Sequence, residues 1–143
     1  MAIKNQIKIY LQSLSENVAI ARVTAAAFAA QIDFTLNEIE EIKVAVSEAV
    51  TNVIIHGYEE QQGQIQVIMN LYENKLEYII ADNGKGIADI ALARQPSYSS
   101  DPERMGLGFA FMESFMDELD VSSEVNKGTT VRMAKKILSS AAH

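Results

Sequence analysis

The chain has 143 residues, 48% of them hydrophobic, and a net charge of -7 at pH 7. That size suits one compact domain, 1–143, with a sizeable core; no run approaches the ~20 apolar residues of a membrane span, and the sparse, scattered Lys and Arg argue against direct nucleic-acid binding. With no cysteine in the chain, a disulfide framework and a thiolate metal site are excluded, and the cytoplasm is the expected compartment.

Ile7 to Leu11 alternate apolar and polar residues and predict a strand. Ser13-Leu14-Ser15-Glu16 reads as a capping box ahead of an Ala-rich helix that runs to about Gln31. Thr35-Leu36-Asn37-Glu38 is a second capping box, and its helix carries Ile39, Ile42, Val46, Ala49, Val50 and Val53 at helical spacing. Gly57 is expected to cap that helix at its C-terminus. Ile65 to Tyr72 and Leu76 to Ala81, joined by Glu73-Asn74, predict an antiparallel hairpin. Gly84 to Gly108 holds no strong period and reads as a long functional or mobile loop. A helix is expected from about Phe109 to Leu119, followed by strands Leu119 to Val125 and Thr129 to Met133. The order β-α-α-β-β-loop-α-β-β predicts an α+β sandwich with helices packed on one face of a mixed or antiparallel sheet.

Three patterns could carry chemistry. Glu48, Asn52 and His56 stand at i, i+4 and i+8 and share one stripe of the second helix. Alone, such a stripe is as well read as a solvated face or a satisfied core histidine. Zinc is disfavoured, because H-E-x-x-H is absent and the other histidine is the terminal His143. Asp82-Asn83-Gly84-Lys85-Gly86-Ile87 follows a strand. An Asp there can accept a hydrogen bond from the amino group of a flat ring, and Gly84 and Gly86 let a ligand approach the backbone; the same residues also make an ordinary turn. Met105-Gly106-Leu107-Gly108-Phe109 precedes the predicted third helix. Glycines before a helix N-terminus can form an anion site from free backbone N–H groups and the helix dipole. Arg104 just ahead of them is either a phosphate clamp or a surface arginine.

The order of the patterns is more specific than any one of them. An E-x-x-x-N helix, D-x-G-x-G at a strand end, a long loop, G-x-G at a helix start and Lys127-Gly128-Thr129-Thr130 between strands resemble, in sequence, the nucleotide boxes of the GHKL ATP-binding superfamily. That superfamily includes DNA gyrase, histidine kinases and the heat-shock and mismatch-repair ATPases. Ser47 to Asn52, Ile55-His56-Gly57-Tyr58, Ala93-Arg94-Gln95-Pro96, Phe115-Met116-Asp117-Glu118 and Ser123 to Val131 further resemble the sporulation anti-sigma F factor family. So do Ser15-Glu16-Asn17 and Ala21-Arg22-Val23-Thr24, and the resemblance runs over roughly residues 7 to 135.

The resemblance implies a GHKL-type sandwich with a mobile ATP lid over about 87–105. It implies a protein that binds and silences a sigma factor and uses Mg-ATP to phosphorylate a serine of an anti-anti-sigma protein, leaving ADP. Carried over by match, Glu48 would activate the serine hydroxyl and Asn52 would hold Mg²⁺. Asp82 would bind the adenine amino group with Gly84 and Gly86 beside the ring, Gly106 and Gly108 would approach the phosphates, and Thr130 would lie near the base. Arg104 would grip the γ-phosphate, and Arg22 would lie on a surface shared by the two protein partners. A homodimer is implied, with the N-terminal strand and first helix near the interface and Ala25, Ala26, Ala27, Ala29 and Ala30 allowing close packing. The chain departs from the family pattern in a shorter loop between Pro102 and Gly106, in Asp101 where a lysine is expected, and in Val18 where a polar residue is expected. The alternatives are an anti-sigma kinase of the stress-response sigma B type, a histidine-kinase-like catalytic ATPase domain, and a non-catalytic binding module. Glu48 counts against the last, since a pure binder needs no carboxylate beside a metal ligand.

Overall fold

A computed structural model of the chain describes residues 2–59, 61–95 and 101–138, with the backbone alone for 101–104. Its strands are β1 (Asn5–Gln12), β2 (Gln64–Leu71), β3 (Lys75–Asp82), β4 (Glu118–Glu124) and β5 (Gly128–Lys136). They form one sheet in the order β1-β2-β3-β5-β4, and every neighbouring pair is antiparallel. Of the two expected sheet types, the antiparallel one is found. The helices are α1 (Glu16–Ala29), α2 (Leu36–Asn52), the single turn α3 (Ile90–Ala93) and α4 (Asp101–Phe115).

Strand alternation decides which face is covered. Ile65, Val67 and Met69 of β2, Leu76, Tyr78 and Ile80 of β3, and Val131 and Met133 of β5 are buried on one face, in register across the strands. On α2, Ile42, Ala45, Val46, Ala49 and Val50 are fully buried at helical spacing. Tyr78 spans the layers, its hydroxyl donating to the Ala25 carbonyl of α1 at 2.8 Å. The opposite face of the sheet carries Arg132, which bonds Glu77, Glu118 and Asp120 at 2.7–2.8 Å and ties β3, β5 and β4 together. Among the described residues no helix is long and apolar enough to cross a membrane.

Four local expectations change. The Thr35 capping box is present, with Glu38 N donating to Thr35 Oγ1 and Thr35 N to Glu38 Oε1. The Ser13 box is not. Ser13 Oγ instead donates to Gln61 O and accepts from Gly63 N, both at 2.8 Å, which fastens the end of β1 to the start of β2. Gly57 is not a left-handed cap, because α2 runs on into a π-helical turn over Val53–Gly57. Ala25 and Ala29 are buried inside the protomer, so they face its own core rather than a second copy. Finally, α4 begins at Asp101, eight residues before the predicted start. Pro102 suits a first helical turn, where a missing N–H costs nothing.

Candidate functional site

Helix α2 presents Glu48 and Asn52 one turn apart, and the π-helical turn beyond it brings His56 into the same pocket as Asn52. Single π turns are frequent at functional sites because they redirect side chains without ending the helix. Helix α4 crosses this stripe at Gly108. A Cβ on Gly108 would lie 3.0 Å from Glu48 Oε2 and 3.3 and 3.4 Å from the Asn52 amide atoms. The position therefore brings bare backbone against both polar groups. Asn52 Nδ2 is buried and has no hydrogen-bond partner among the described residues. An unsatisfied buried amide costs about 1–3 kcal/mol, so this donor is set for a group that the described residues do not supply.

Asp82 closes β3 and is 8% exposed. Its Oδ1 accepts from Gly84 N at 2.8 Å, and the Thr129 backbone also bonds the carboxylate. Burial raises its pKa, and these two backbone hydrogen bonds only partly offset the rise. A carboxylate has about four acceptor sites, so capacity remains for an amino group. The loop that follows is fixed by backbone contacts. Lys85 N donates to Gly57 O at 2.9 Å, Asn126 N to Lys85 O at 2.7 Å, and Ile87 N to Ser123 Oγ at 2.7 Å.

The glycines of this loop have a reason that the sequence did not reveal. A Cβ on Gly84 would fall 2.2 Å from Gly57 O. Gly86 has φ +76° and a Cβ there would fall 2.3 Å from Glu124 O. Both are demanded by backbone packing behind the pocket as well as by any ligand in front of it.

Asn52, His56, Asp82, Gly86, Met105 and Phe109 line a pocket between α2, the end of β3 and α4. The space inside is only ≈ 20 Å³, about one water. Met105 and Phe109 of α4 close one wall of it, 8% and 1% exposed. Of the expected site residues, Glu48, Asn52, Asp82, Gly86 and Gly108 come together here, with Gly84 directly behind.

Gly106 and Gly108 do not precede a helix N-terminus. They lie within α4, so the expected anion site of free N–H groups is not formed in this conformation. Gly106 packs against the loop after α3, where a Cβ would fall 2.0 Å from Gln95 O. Thr130 pairs with Ala81 and sits on the face of β5 opposite the pocket, while Thr129 lines the pocket beside Val131. Period-two alternation from buried Val131 would have pointed to Thr129. The Arg104 side chain lies outside the described residues. Arg22, on α1, is half-buried, donates to Ser47 Oγ at 3.4 Å and is not among the residues that line the pocket. The expected lid over 87–105 contains α3 and the first turns of α4. Met105, Phe109, Thr129 and Ile87 are among the pocket residues that the sequence did not single out as site residues.

The residues present fit a magnesium-bound nucleotide: a buried amide with a donor to spare, a carboxylate one turn away, and a buried acceptor at the end of β3. Comparison with known proteins agrees. Residues 11–135 match the family model of the histidine kinase-like ATPase domain. An anti-sigma F factor from Clostridium kluyveri is 50% identical over 133 residues, 92% of this chain and 94% of that protein. One from Anoxybacillus flavithermus is 47% identical over 142 residues, 97% of each chain. In fold, the chain is similar to the histidine kinase domain of a blue-light activated histidine kinase from Erythrobacter litoralis, with a TM-score of 0.53 and 21% identity over 70% of this chain and 45% of that one. The α+β sandwich, the pocket and these similarities together show that the chain belongs to the anti-sigma F factor family of histidine kinase-like ATPase domains.

Proposed function

We propose that the chain is an anti-sigma factor of the sigma F type and a protein serine kinase, using Mg-ATP to phosphorylate an anti-anti-sigma protein and releasing ADP. The single observation that carries the catalytic half is the meeting of Glu48 and Asn52 beneath the bare backbone of Gly108. The relatives' shared name supports the sigma-binding half.

Asn52 would hold Mg²⁺ through its amide oxygen, and its buried Nδ2 would find an acceptor on the nucleotide. Bound Mg²⁺ supplies charge neutralisation on the phosphates. Asp82 would accept the adenine amino hydrogen at the far end of the pocket. Glu48 would take the proton of the incoming serine hydroxyl, whose oxygen bonds to the γ-phosphorus as the bond to the ADP oxygen breaks. Met105 and Phe109 must withdraw first, because ≈ 20 Å³ holds no base. Unwinding the first turns of α4 would do this and free the N–H groups of Gly106 and Gly108 for the phosphates, and Arg104 would grip the γ-phosphate. The edge strand β1 offers unpaired backbone for a homodimer. Arg22 on α1 would serve the sigma factor and the anti-anti-sigma protein, and the whole chain 1–143 would act as one cytoplasmic domain.

Glu48→Gln tests the reading, with labelled ATP and candidate anti-anti-sigma proteins. Turnover is expected to fall ~10²–10⁴-fold, the usual worth of a positioned base, with nucleotide affinity retained. Lost nucleotide binding with normal turnover per bound ATP would make Glu48 structural.

A further inference from the structure

Lys135 breaks the pattern of β5. It alternates with Val131 and Met133 onto the helix-covered face, stands opposite Leu76 of β3, and is 8% exposed. Its Nζ donates to Glu41 Oε1 on α2 and to the Phe115 carbonyl on α4, each at 2.8 Å. Burying an ammonium is expensive, and a buried ion pair can often be replaced by apolar residues at no loss of stability. Stability therefore gives little reason for a lysine here.

The placement of its two partners gives a better one. Glu41 lies two helical turns before Glu48 on α2, and Phe115 two turns after Gly108 on α4, about 10 Å in each case. The two helices thus run antiparallel and are fastened twice. At one end Gly108 rests on Glu48 and Asn52. At the other, Lys135 bridges the Glu41 carboxylate and a carbonyl of the last turn of α4. That carbonyl has no partner within its own helix and lies at the negative end of the helix dipole. The ammonium therefore holds the helix itself as well as a side chain.

We propose that Lys135 is a positioning residue for phosphoryl transfer: it sets the axial register of α4 on α2, and with it the seat of Gly108 against Glu48 and Asn52. The inference rests on the kinase reading above for its kinetic consequence, while the register can be read without it. A displacement of about 1 Å at a reacting centre can cost ~10²-fold.

Lys135→Met, Glu41→Gln and Lys135→Arg are compared for melting, Mg-ATP affinity, kcat, KM for ATP and the amide resonance of Gly108. The expected result is a folded Lys135→Met with ATP affinity and KM changed much less than kcat, kcat lowered roughly 10- to 100-fold, and a shifted Gly108 resonance. Glu41→Gln should move kcat and the resonance in the same direction by less, and Lys135→Arg should restore both in part. A folded Lys135→Met with unmoved kcat and Gly108 resonance overturns the proposal. So does an unfolded Lys135→Met beside a Glu41→Gln variant with unchanged kcat and resonance. A wild-type protein that phosphorylates nothing would sink the kinase reading instead, and the Gly108 resonance would still decide the register.

Discussion

At the scale of single residues, the pocket sets ligand binding and stability against each other. Burial raises the Asp82 pKa above its ordinary value, so the ionised carboxylate disfavours the ligand-free fold. The stability held by the neutral form is fully present below the ordinary carboxylate range and is lost as pH rises through the raised native value. Asp82→Asn should therefore raise the melting temperature at neutral pH, and the gain should vanish in acid. The same change should weaken ATP binding by about 1.5–3 kcal/mol, the worth of a charged hydrogen bond. Calorimetry showing unchanged ATP affinity would remove Asp82 from the base site. Gly108 poses a similar conflict. Alanine in a helix interior is favoured over glycine by about 1 kcal/mol, yet a Cβ here would press to 3.0 Å from Glu48 Oε2. Gly108→Ala is expected to stay folded, with a melting temperature near wild type, and to lose roughly tenfold or more in kcat through displacement of Glu48. Wild-type kcat in that variant would show that Glu48 adapts freely.

At the scale of elements, what the sequence made legible was whatever local chemistry decides. Helix α2 was readable from the Thr35 box and its apolar spacing, and the β2–β3 hairpin from its alternation. The second half of α4 was readable from Phe109 on, but its start at Asp101 was not, because Gly106 and Gly108 are poor helix formers in the middle of its window. Tertiary contact explains both: Gly108 must fit against Glu48 and Gly106 against the Gln95 carbonyl. The site overrode the propensity, and that is why the same residues marked it. Thr130 lies one position from Thr129, and in a strand one position changes the face, so that Thr129 is the threonine lining the pocket. Ser13 was misread because its hydroxyl serves residues 61 and 63, far along the chain. The buried face of α4, with Met105, Phe109 and Met112, suggests how the pocket is closed without ligand. Met105→Ala should cost about 2–5 kcal/mol of stability, as core Met truncations do. It should also bind ATP no more weakly than wild type, since less side chain must leave the pocket. A clear loss of ATP affinity in the folded variant would show that Met105 supports the ligand instead of blocking it.

At the scale of the whole molecule, the proposed function gives one small acidic chain two protein partners. Arg22 lies on α1 between Ile20 and Val23, which are 51% and 63% exposed. An arginine flanked by exposed apolar side chains has the composition of a binding hot spot. Its bond to Ser47 Oγ is long, at 3.4 Å, and it is not among the residues that line the pocket, so the patch and the nucleotide site should act nearly independently. One patch cannot hold two proteins at once. The sigma factor and the unphosphorylated anti-anti-sigma protein should therefore exclude each other on a protomer. Transfer of a phosphate to the latter adds a charge of about -1.5 to -2. Set against a chain already at -7, that charge favours release unless an arginine receives it. Arg22→Ala should weaken both partners by a similar factor and leave ATP affinity within about 0.5 kcal/mol. Raised salt should narrow the gap between the phosphorylated and unphosphorylated partner, because screening acts on the repulsion. Native mass spectrometry decides the central point: a complex with both partners on one protomer would show that the surfaces are separate, and loss of only one partner in Arg22→Ala would give the same answer by another route.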